Sequence, residues 1–412
     1  MGIRILHVAT RHRRGGAERN LLHTISRELG RGFEVHVAVG TEDLQRDFPP
    51  EVELHPLVHL TREVSPTDDR RALLGLRGLI RHRRFEVVHT HQSKAGVLGR
   101  LAAQDRVGTM VHTVHMSSFG PAYGRARSAA FLAVERRLAR TTDRFVFVGK
   151  DLRRRYVAAG AADRDRSIII RSPIANLASL LDLRGPARAS RADLRRAVGA
   201  RPDRRVVLMV GALDRRKRQD LTLRALAPLV ADRRAQLIVA GEGPEREALE
   251  ELSRALGIAG FVHFPEFVAD VRPFYAAADV LVQASTLEGT PQTVVQAIAA
   301  GVPVVATEVD GLREVAPDME QVTVVPADGH GLLRAVLEKL EEAPQPPVPA
   351  ELLRPWLPAS VDDRLSALHD WLEDRAVIGR QLSRRIIPRP TSAAGAITGD
   401  QVLAGPITEV EL

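Results

Sequence analysis

The feature that most limits the fold is an alternation, run through twice, between short apolar runs and longer segments with helical apolar spacing. Residues 3–9, 33–39, 87–90, 109–114 and 145–148 have the length and continuity of strands, and helical patterns occupy 17–29, 95–104 and 127–140. A strand that is apolar on both faces needs cover on both, which a parallel sheet with helices above and below supplies. After an irregular stretch around 171–190 the alternation restarts. Strands are expected at 206–210, 236–240, 261–264, 280–283 and 302–306, with helices at 222–231, 245–255, 271–278 and 293–300. The fold class is therefore α/β, with two doubly wound domains. Expected boundaries are 1–170 for the first domain, 171–189 for a linker and 190–343 for the second domain. A proline-rich break and a C-terminal helix (362–374) follow within 344–386, and 387–412 reads as a disordered tail.

Composition narrows the function. Cysteine is absent, which removes disulfides, zinc thiolates and cysteine nucleophiles and fits a reducing cytoplasm. Neither a signal-peptide core nor a membrane-length apolar run is visible, so the expectation is a soluble, cytoplasmic chain. The net charge of +8 is uneven: residues 1–160 hold 28 Lys and Arg against 16 Asp and Glu, the remainder 31 against 35. A basic first half suits an acidic acceptor or an anionic membrane surface, hence a peripheral membrane association; solvated arginines are the plainer alternative. Nucleic acid is not expected as a partner, since aromatics make up only 4% and do not interleave with the cations.

Open parallel sheets bind ligands at the carboxyl ends of their strands, so loops that directly follow strands carry the interest. The segment from Ser285 to Val305 places Glu288, Gly289 and Thr290 in such a loop, Pro291 in the first turn of the next helix, and Gln292 and Gln296 on that helix. A helix start offers unpaired N–H groups and a positive dipole end, both favourable to phosphate. The Glu288 carboxylate can accept hydrogen bonds from sugar hydroxyls, and the Gln296 side-chain oxygen from a ribose diol. In Gly211-Ala212-Leu213-Asp214-Arg215-Arg216-Lys217-Arg218 a lysine stands among arginines, although the chain has only four lysines. A compact ammonium there would stabilise charge growing on a departing phosphate, with Arg215 or Arg216 as a second cation. Gly15 and Gly16 follow the first strand and allow a backbone to approach a phosphate closely. Gly241, Pro265 and Phe267 follow later strands. His89, His91 and Lys94, then His112 and His115, stand at strand ends of the first domain. No carboxylate or thiolate joins these histidines at a recognisable ligand spacing, so no metal is expected. The dinucleotide fingerprint G-x-G-x-x-G is missing, which disfavours an oxidoreductase.

Taken in order, these motifs resemble those of family 4 glycosyltransferases over about residues 3–342. The family's donor signature is Glu, seven residues, Glu, then a small-residue helix and Gly-x-Pro-Val-Val. Here Glu288 matches the first acid and Gln296 replaces the second; Lys217 matches the lysine of Gly-Arg-Leu-x-x-x-Lys, whose arginine position is Ala212. Asp310-Gly311-Leu312-Arg313-Glu314 resembles the family's Gly-Gly-x-x-Glu continuation. The resemblance implies a GT-B fold, two Rossmann-like domains facing each other across a cleft. It further implies a retaining transfer from a nucleotide sugar to the hydroxyl of a saccharide, lipid-linked or small-molecule acceptor. The nucleotide sugar would be a co-substrate, with no cofactor and no metal. Glu288, Lys217 and His115 would be catalytic, and the histidine would lie beside the transferred sugar. Gly15, Gly16, Arg215, Arg216, Gly241, Pro265, Phe267, Gly289, Thr290, Gln292 and Gln296 would hold the donor, and His91 and Lys94 would face the acceptor. The alternatives are a nucleotide-sugar epimerase, with a similar donor pocket and no acceptor, and a noncatalytic nucleotide-sugar-binding protein, in which Ala212 and Gln296 would be decay.

Overall fold

The computed structural model describes residues 2–12, 15–41, 47–104, 106–183, 191–265, 268–315, 321–342 and 348–386. Its first sheet comprises β1 (Arg4–Ala9), β2 (Glu34–Gly40), β3 (Glu53–Leu57), β4 (Val87–His91), β5 (Thr109–Val114), β6 (Arg144–Phe147) and β7 (Ser167–Ile169). The second comprises β8 (Arg205–Val210), β9 (Ala235–Ala240), β10 (Val262–His263), β11 (Val280–Gln283), β12 (Val304–Thr307) and β13 (Val322–Val325). The strand orders are β3-β2-β1-β4-β5-β6-β7 and β10-β9-β8-β11-β12-β13, and the pairings are parallel.

Both orders reverse direction once, between β1 and β4 and between β8 and β11. At such a point the chain leaves neighbouring strands toward opposite faces and opens a crevice. The glycine loop follows β1, the Gln92–Lys94 turn follows β4, Lys217 follows β8 and Glu288 follows β11. The motifs therefore flank the two crevices that the topology creates.

Three strands carry no strong sequence signal. β3 includes Pro56, which has no N–H for a ladder and is tolerated because β3 is an edge. β7 has three residues and β13 four, both at the opposite edges, too short to display a period.

The segment expected to be a linker is partly core. Helix Leu177–Asp182 buries Leu177 and Leu180 against Leu281, Val294 and Ile298 of the second domain. The C-terminal helix is longer than expected, Pro358–Ile386, and returns to the first domain. Its stripe of Val361, Leu365, Leu368, Leu372 and Ala376 packs on Ile3, Ile5, Leu21 and Ile25. The three-and-four spacing of that stripe is helical, and each fully buried leucine contributes about 1.5–3 kcal/mol before ordering costs. Both connections between domains lie side by side. Ile174 N–H donates to the Trp356 carbonyl (3.0 Å), and the Arg171 guanidinium stacks 4.4 Å over the Trp356 ring. Most of the proline-rich break and the tail expected from 387 lie outside the described residues. Among the described residues, no helix is long and apolar enough to cross a membrane.

Candidate functional site

The strand-end loops of both sheets enclose a cleft of about 1180 Å³. That volume exceeds the roughly 300–1,000 Å³ usual for a small-molecule pocket and leaves room for two substrates. From the first domain it is lined by Gly15, Gly16, Lys94 and His115. From the second it is lined by Ala212, Arg216, Lys217, Gly241, Glu288, Gly289, Thr290, Gln292 and Gln296.

The second-domain wall is charged. β8 ends at Val210 and β9 at Ala240, and their following loops stack backbone on backbone. Gly211 N–H donates to the Ala240 carbonyl (3.0 Å) and Leu213 N–H to the Glu242 carbonyl (2.8 Å). Gly241 has φ of +154°, and a Cβ there would lie 1.9 Å from the Gly211 carbonyl oxygen, so only glycine permits this stacking. The chain then turns through Arg215–Lys217, where the Asp214 carboxylate accepts from the Arg216 N–H at 3.1 Å. This turn points Lys217 into the cleft, where its Nζ lies 2.5 Å from Glu288 Oε1 on the loop after β11. Arg216 binds Asp214 at 2.5 Å and reaches the first domain at the Met116 sulfur, 3.0 Å away. Burial opposes ionisation of Asp214, but the charges of Arg216 and Lys217 outweigh it and hold the carboxyl below its ordinary value. For Arg216 burial again opposes charge, and Asp214 and Glu288 raise it further above the arginine value.

Arg216 is thus the cation that accompanies Lys217. Arg215 turns outward, 90% exposed along its side chain, with its guanidinium 3.2 Å from Glu245, and it does not line the cleft. Pro265 also does not line it, and Phe267 lies outside the described residues. Gln296 sits on helix Gln292–Ala299 with both ends of its amide engaged: Nε2 donates to Asn176 Oδ1 (3.0 Å), and Oε1 accepts from the Tyr275 hydroxyl (3.2 Å). The oxygen expected to meet a ribose diol would therefore share itself with Tyr275. Neither Asn176 nor Tyr275 carries a motif, and only the fold brings them to Gln296.

The first-domain wall carries charge as well, from Arg11, Glu18, Arg19, Arg62, Asp69, Lys94 and Glu135, beside glycines and a neutral imidazole. Behind Gly15, the Glu18 carboxyl folds back so closely that a Cβ at Gly15 would lie 2.5 Å from its Oε2. Burial raises the Glu18 carboxyl above its usual range, despite its own backbone N–H and the cations nearby. Gln92 braces this loop, donating to Glu18 Oε1 (3.3 Å) and accepting from the Thr10 N–H (3.0 Å). Gly16 touches the opposite wall: a Cβ there would lie 2.9 Å from Gln292 Nε2. Lys94 lines the cleft, but its ammonium already binds Asp69 (2.5 Å), Thr61 and the Glu63 carbonyl. His115 lines the cleft too, and burial pushes its imidazole down to about 4, so it is neutral at physiological pH. His91 does not reach the cleft. It stands one layer behind, its Nδ1 3.4 Å from His115 Nε2.

The walls meet along a tight seam. Gly289 approaches so closely that a Cβ would lie 1.7 Å from the His115 carbonyl oxygen. Thr290 donates its hydroxyl to the Val148 carbonyl (3.0 Å), and Glu314 accepts from the Lys150 N–H (2.6 Å) while pairing with Arg171. The last glutamate of the Gly-x-x-Glu motif is thus a domain clamp. Among the described residues, two groups of three potential metal ligands, His7–His89–His91 and His36–Glu53–His55, are built on strands of the first sheet rather than on the loops around the cleft.

Comparison with known proteins agrees with this architecture. Residues 15–172 match the family Glycosyl transferase 4-like domain, and residues 204–342 match Glycosyl transferases group 1. The chain is 31% identical over 347 residues to a D-inositol 3-phosphate glycosyltransferase of Thermobispora bispora, covering 77% of this chain and 78% of that one. It is 32% identical to the protein of the same name from Geodermatophilus obscurus, covering 77% and 76%. Among solved structures, Anabaena HepE in complex with UDP-glucose superposes with a TM-score of 0.69 at 19% identity, covering 89% of this chain and 99% of that chain. With two parallel-sheet domains facing across a cleft, and with matches that run through both, the chain belongs to the group 1 glycosyltransferases and is itself a glycosyltransferase of GT-B fold.

Proposed function

We propose that the second-domain wall binds a nucleotide-sugar donor and that the first-domain wall presents an acceptor hydroxyl, with the anomeric configuration retained. The observation that carries this is the contact of Lys217 with Glu288 at 2.5 Å beside Arg216, facing a neutral His115. In this arrangement the carboxylate neutralises the ammonium. A donor would separate the pair: its diphosphate would take Lys217 and Arg216, and a sugar hydroxyl would take Glu288. Both cations then face the oxygens on which charge grows as the glycosidic bond breaks. No side chain need form a covalent intermediate, because the departing phosphate can accept the acceptor's proton on the same face. The seam at Gly289 and Glu314 excludes water when the domains are together, which limits hydrolysis of the donor.

UDP-sugars are the first donors to test, since HepE is bound to UDP-glucose, and D-inositol 3-phosphate is the first acceptor, since the relatives are named for it. Saccharide and lipid-linked acceptors follow, because Val97, Leu98, Phe131 and Val134 form an apolar strip on the acceptor side. The cation excess in residues 1–160 supports a peripheral contact with an anionic membrane at the cytoplasmic face. Flotation with anionic but not with neutral vesicles checks that contact.

The deciding experiment is a thermal-shift and sugar-release assay with UDP-, GDP-, ADP- and dTDP-sugars on wild type, Glu288→Ala and Lys217→Ala. One donor class that stabilises wild type and loses its effect in both variants supports the reading. An epimerised donor without acceptor, or tight donor binding without turnover, overturns the transfer reaction while keeping the donor site.

A further inference from the structure

Behind His115 a row of polar side chains crosses an otherwise apolar layer. His7 on β1 and His89 and His91 on β4 project to the same face as Ile5, Val87 and Val111, between the sheet and the helices Gly16–Gly30 and Pro358–Ile386. His7 and Glu28 are at most 1% exposed, and His91 only 2%. Polar groups buried this deeply persist only when their hydrogen bonds are made. Here the contacts run in series: Glu28 Oε2 to His7 Nε2 at 2.7 Å, His7 Nδ1 to His91 Nε2 at 3.0 Å, and His91 Nδ1 to His115 Nε2 at 3.4 Å.

A neutral imidazole has one N–H and one lone pair, and an ionised carboxylate only accepts. Glu28 therefore requires the hydrogen of His7 on Nε2, leaving a lone pair on Nδ1. That lone pair requires an N–H at His91 Nε2 and leaves His91 Nδ1 bare, which in turn requires an N–H at His115 Nε2. With His7 neutral and Glu28 ionised, one assignment of hydrogens satisfies all three contacts, and it ends with a lone pair on His115 Nδ1. We propose that Glu28, His7 and His91 are positioning residues that lock the tautomer of His115, so that the ring meets the cleft as a hydrogen-bond acceptor for a substrate hydroxyl. The lock rests on the transferase reading only for what occupies the cleft.

One other occupant competes for the same lone pairs. The ligand nitrogens of His7, His89 and His91 lie within 4.8 Å of one another, and His89 Nδ1 is buried without a partner. A metal there would take the His7 lone pair that the lock gives to His91, so the two cannot coexist.

The test uses the full chain labelled with ¹⁵N-histidine, with His115→Gln to identify the His115 ring signals. In wild type His115 is expected to carry its hydrogen on Nε2. In Glu28→Gln the amide can show His7 either its oxygen or its N–H, so His91 and His115 become mixtures of tautomers. There kcat falls about tenfold while the donor KM stays within about twofold, since the misplaced hydrogen bond matters mainly in the reacting complex. His91→Phe cuts the series without touching Glu28 and gives the same signature should Glu28→Gln fail to fold. A wild-type His115 protonated on Nδ1, tautomers unchanged in both variants, or a stoichiometric transition metal lost in His91→Phe each overturns the lock. The spectra need no donor. A wrong tautomer with transfer intact therefore sinks the lock alone, and a correct tautomer without transfer from any nucleotide sugar sinks the functional reading alone.

Discussion

Both walls of the cleft carry charge, but they differ in the groups set at Glu288 and at His115. The second-domain wall holds Lys217 against Glu288 and Arg216 against Asp214, each at 2.5 Å, whereas the first-domain wall offers a neutral His115 backed by further imidazoles. Burial holds His89, His91 and His112 well below the ordinary histidine value, with neighbouring imidazole and arginine charges adding to it. Paired charges can be released to a charged ligand at little cost, because the ligand replaces the partner. Neutral groups held by hydrogen bonds cannot compensate a charge, but they fix direction. The Lys217–Glu288 and Arg216–Asp214 pairs therefore suit a charged leaving group, and the neutral His115 suits the orientation of hydroxyls.

The largest effect should come from the paired charges of the second-domain wall. Lys217→Ala is expected to lower kcat about 10²–10³-fold in a transfer assay at saturating donor, as for other lost electrostatic partners of a developing charge. A loss below tenfold would erase the distinction between the walls. Next comes the seam: Gly289→Ala puts a methyl group where the His115 carbonyl stands, so the walls must part. A displacement of that size costs on the order of 10²-fold in rate, and wild-type turnover would show that closure is not required.

His115 should announce itself through pH. The His115 value of about 4 in the folded chain lies below the ordinary 6.5, so in that interval the unfolded chain binds a proton that the folded chain does not. Its contribution is full above pH 6.5, declines as the pH falls, and is lost near 4; His91 and His112 act in the same direction. The fall in Tm across this window should flatten by a few degrees in His115→Gln, and an identical slope would mean that the folded chain does not hold His115 neutral. Gln296→Glu changes one atom type between Asn176 and Tyr275, and donor Kd should move by a factor of about 3–10, as for a single hydrogen bond. Smallest of all, Arg215→Ala should leave kcat/KM within about twofold, since an exposed ion pair is worth little.

Much of this was legible in the chain before folding. The alternation announced both sheets, and the loops bearing Glu288, Lys217 and Gly16 follow the strands at the two reversals of strand order. What escaped had no local signature. β3 was hidden by Pro56, and helix Leu177–Asp182 lay within a stretch that reads as a connection. Arg215 and Arg216 are neighbours with the same side chain, yet one faces Glu245 and the other Asp214 and the cleft. Only the direction of the turn at Asp214 separates them. Glu28 and His7 carry no motif, and they matter because the register of β1 on β4 sets His7 opposite His89.

The sequence by itself determined the class of fold, the strand-end loops that carry the motifs and the residue types available in each, because apolar period and strand length are local properties that solvent exclusion reads directly. The tertiary structure decided which of those residues meet. The clamp of Glu314, the setting of Gln296 and the series from Glu28 to His115 each join side chains from separate elements. Such contacts depend on strand register and on two domains closing, which no local period encodes.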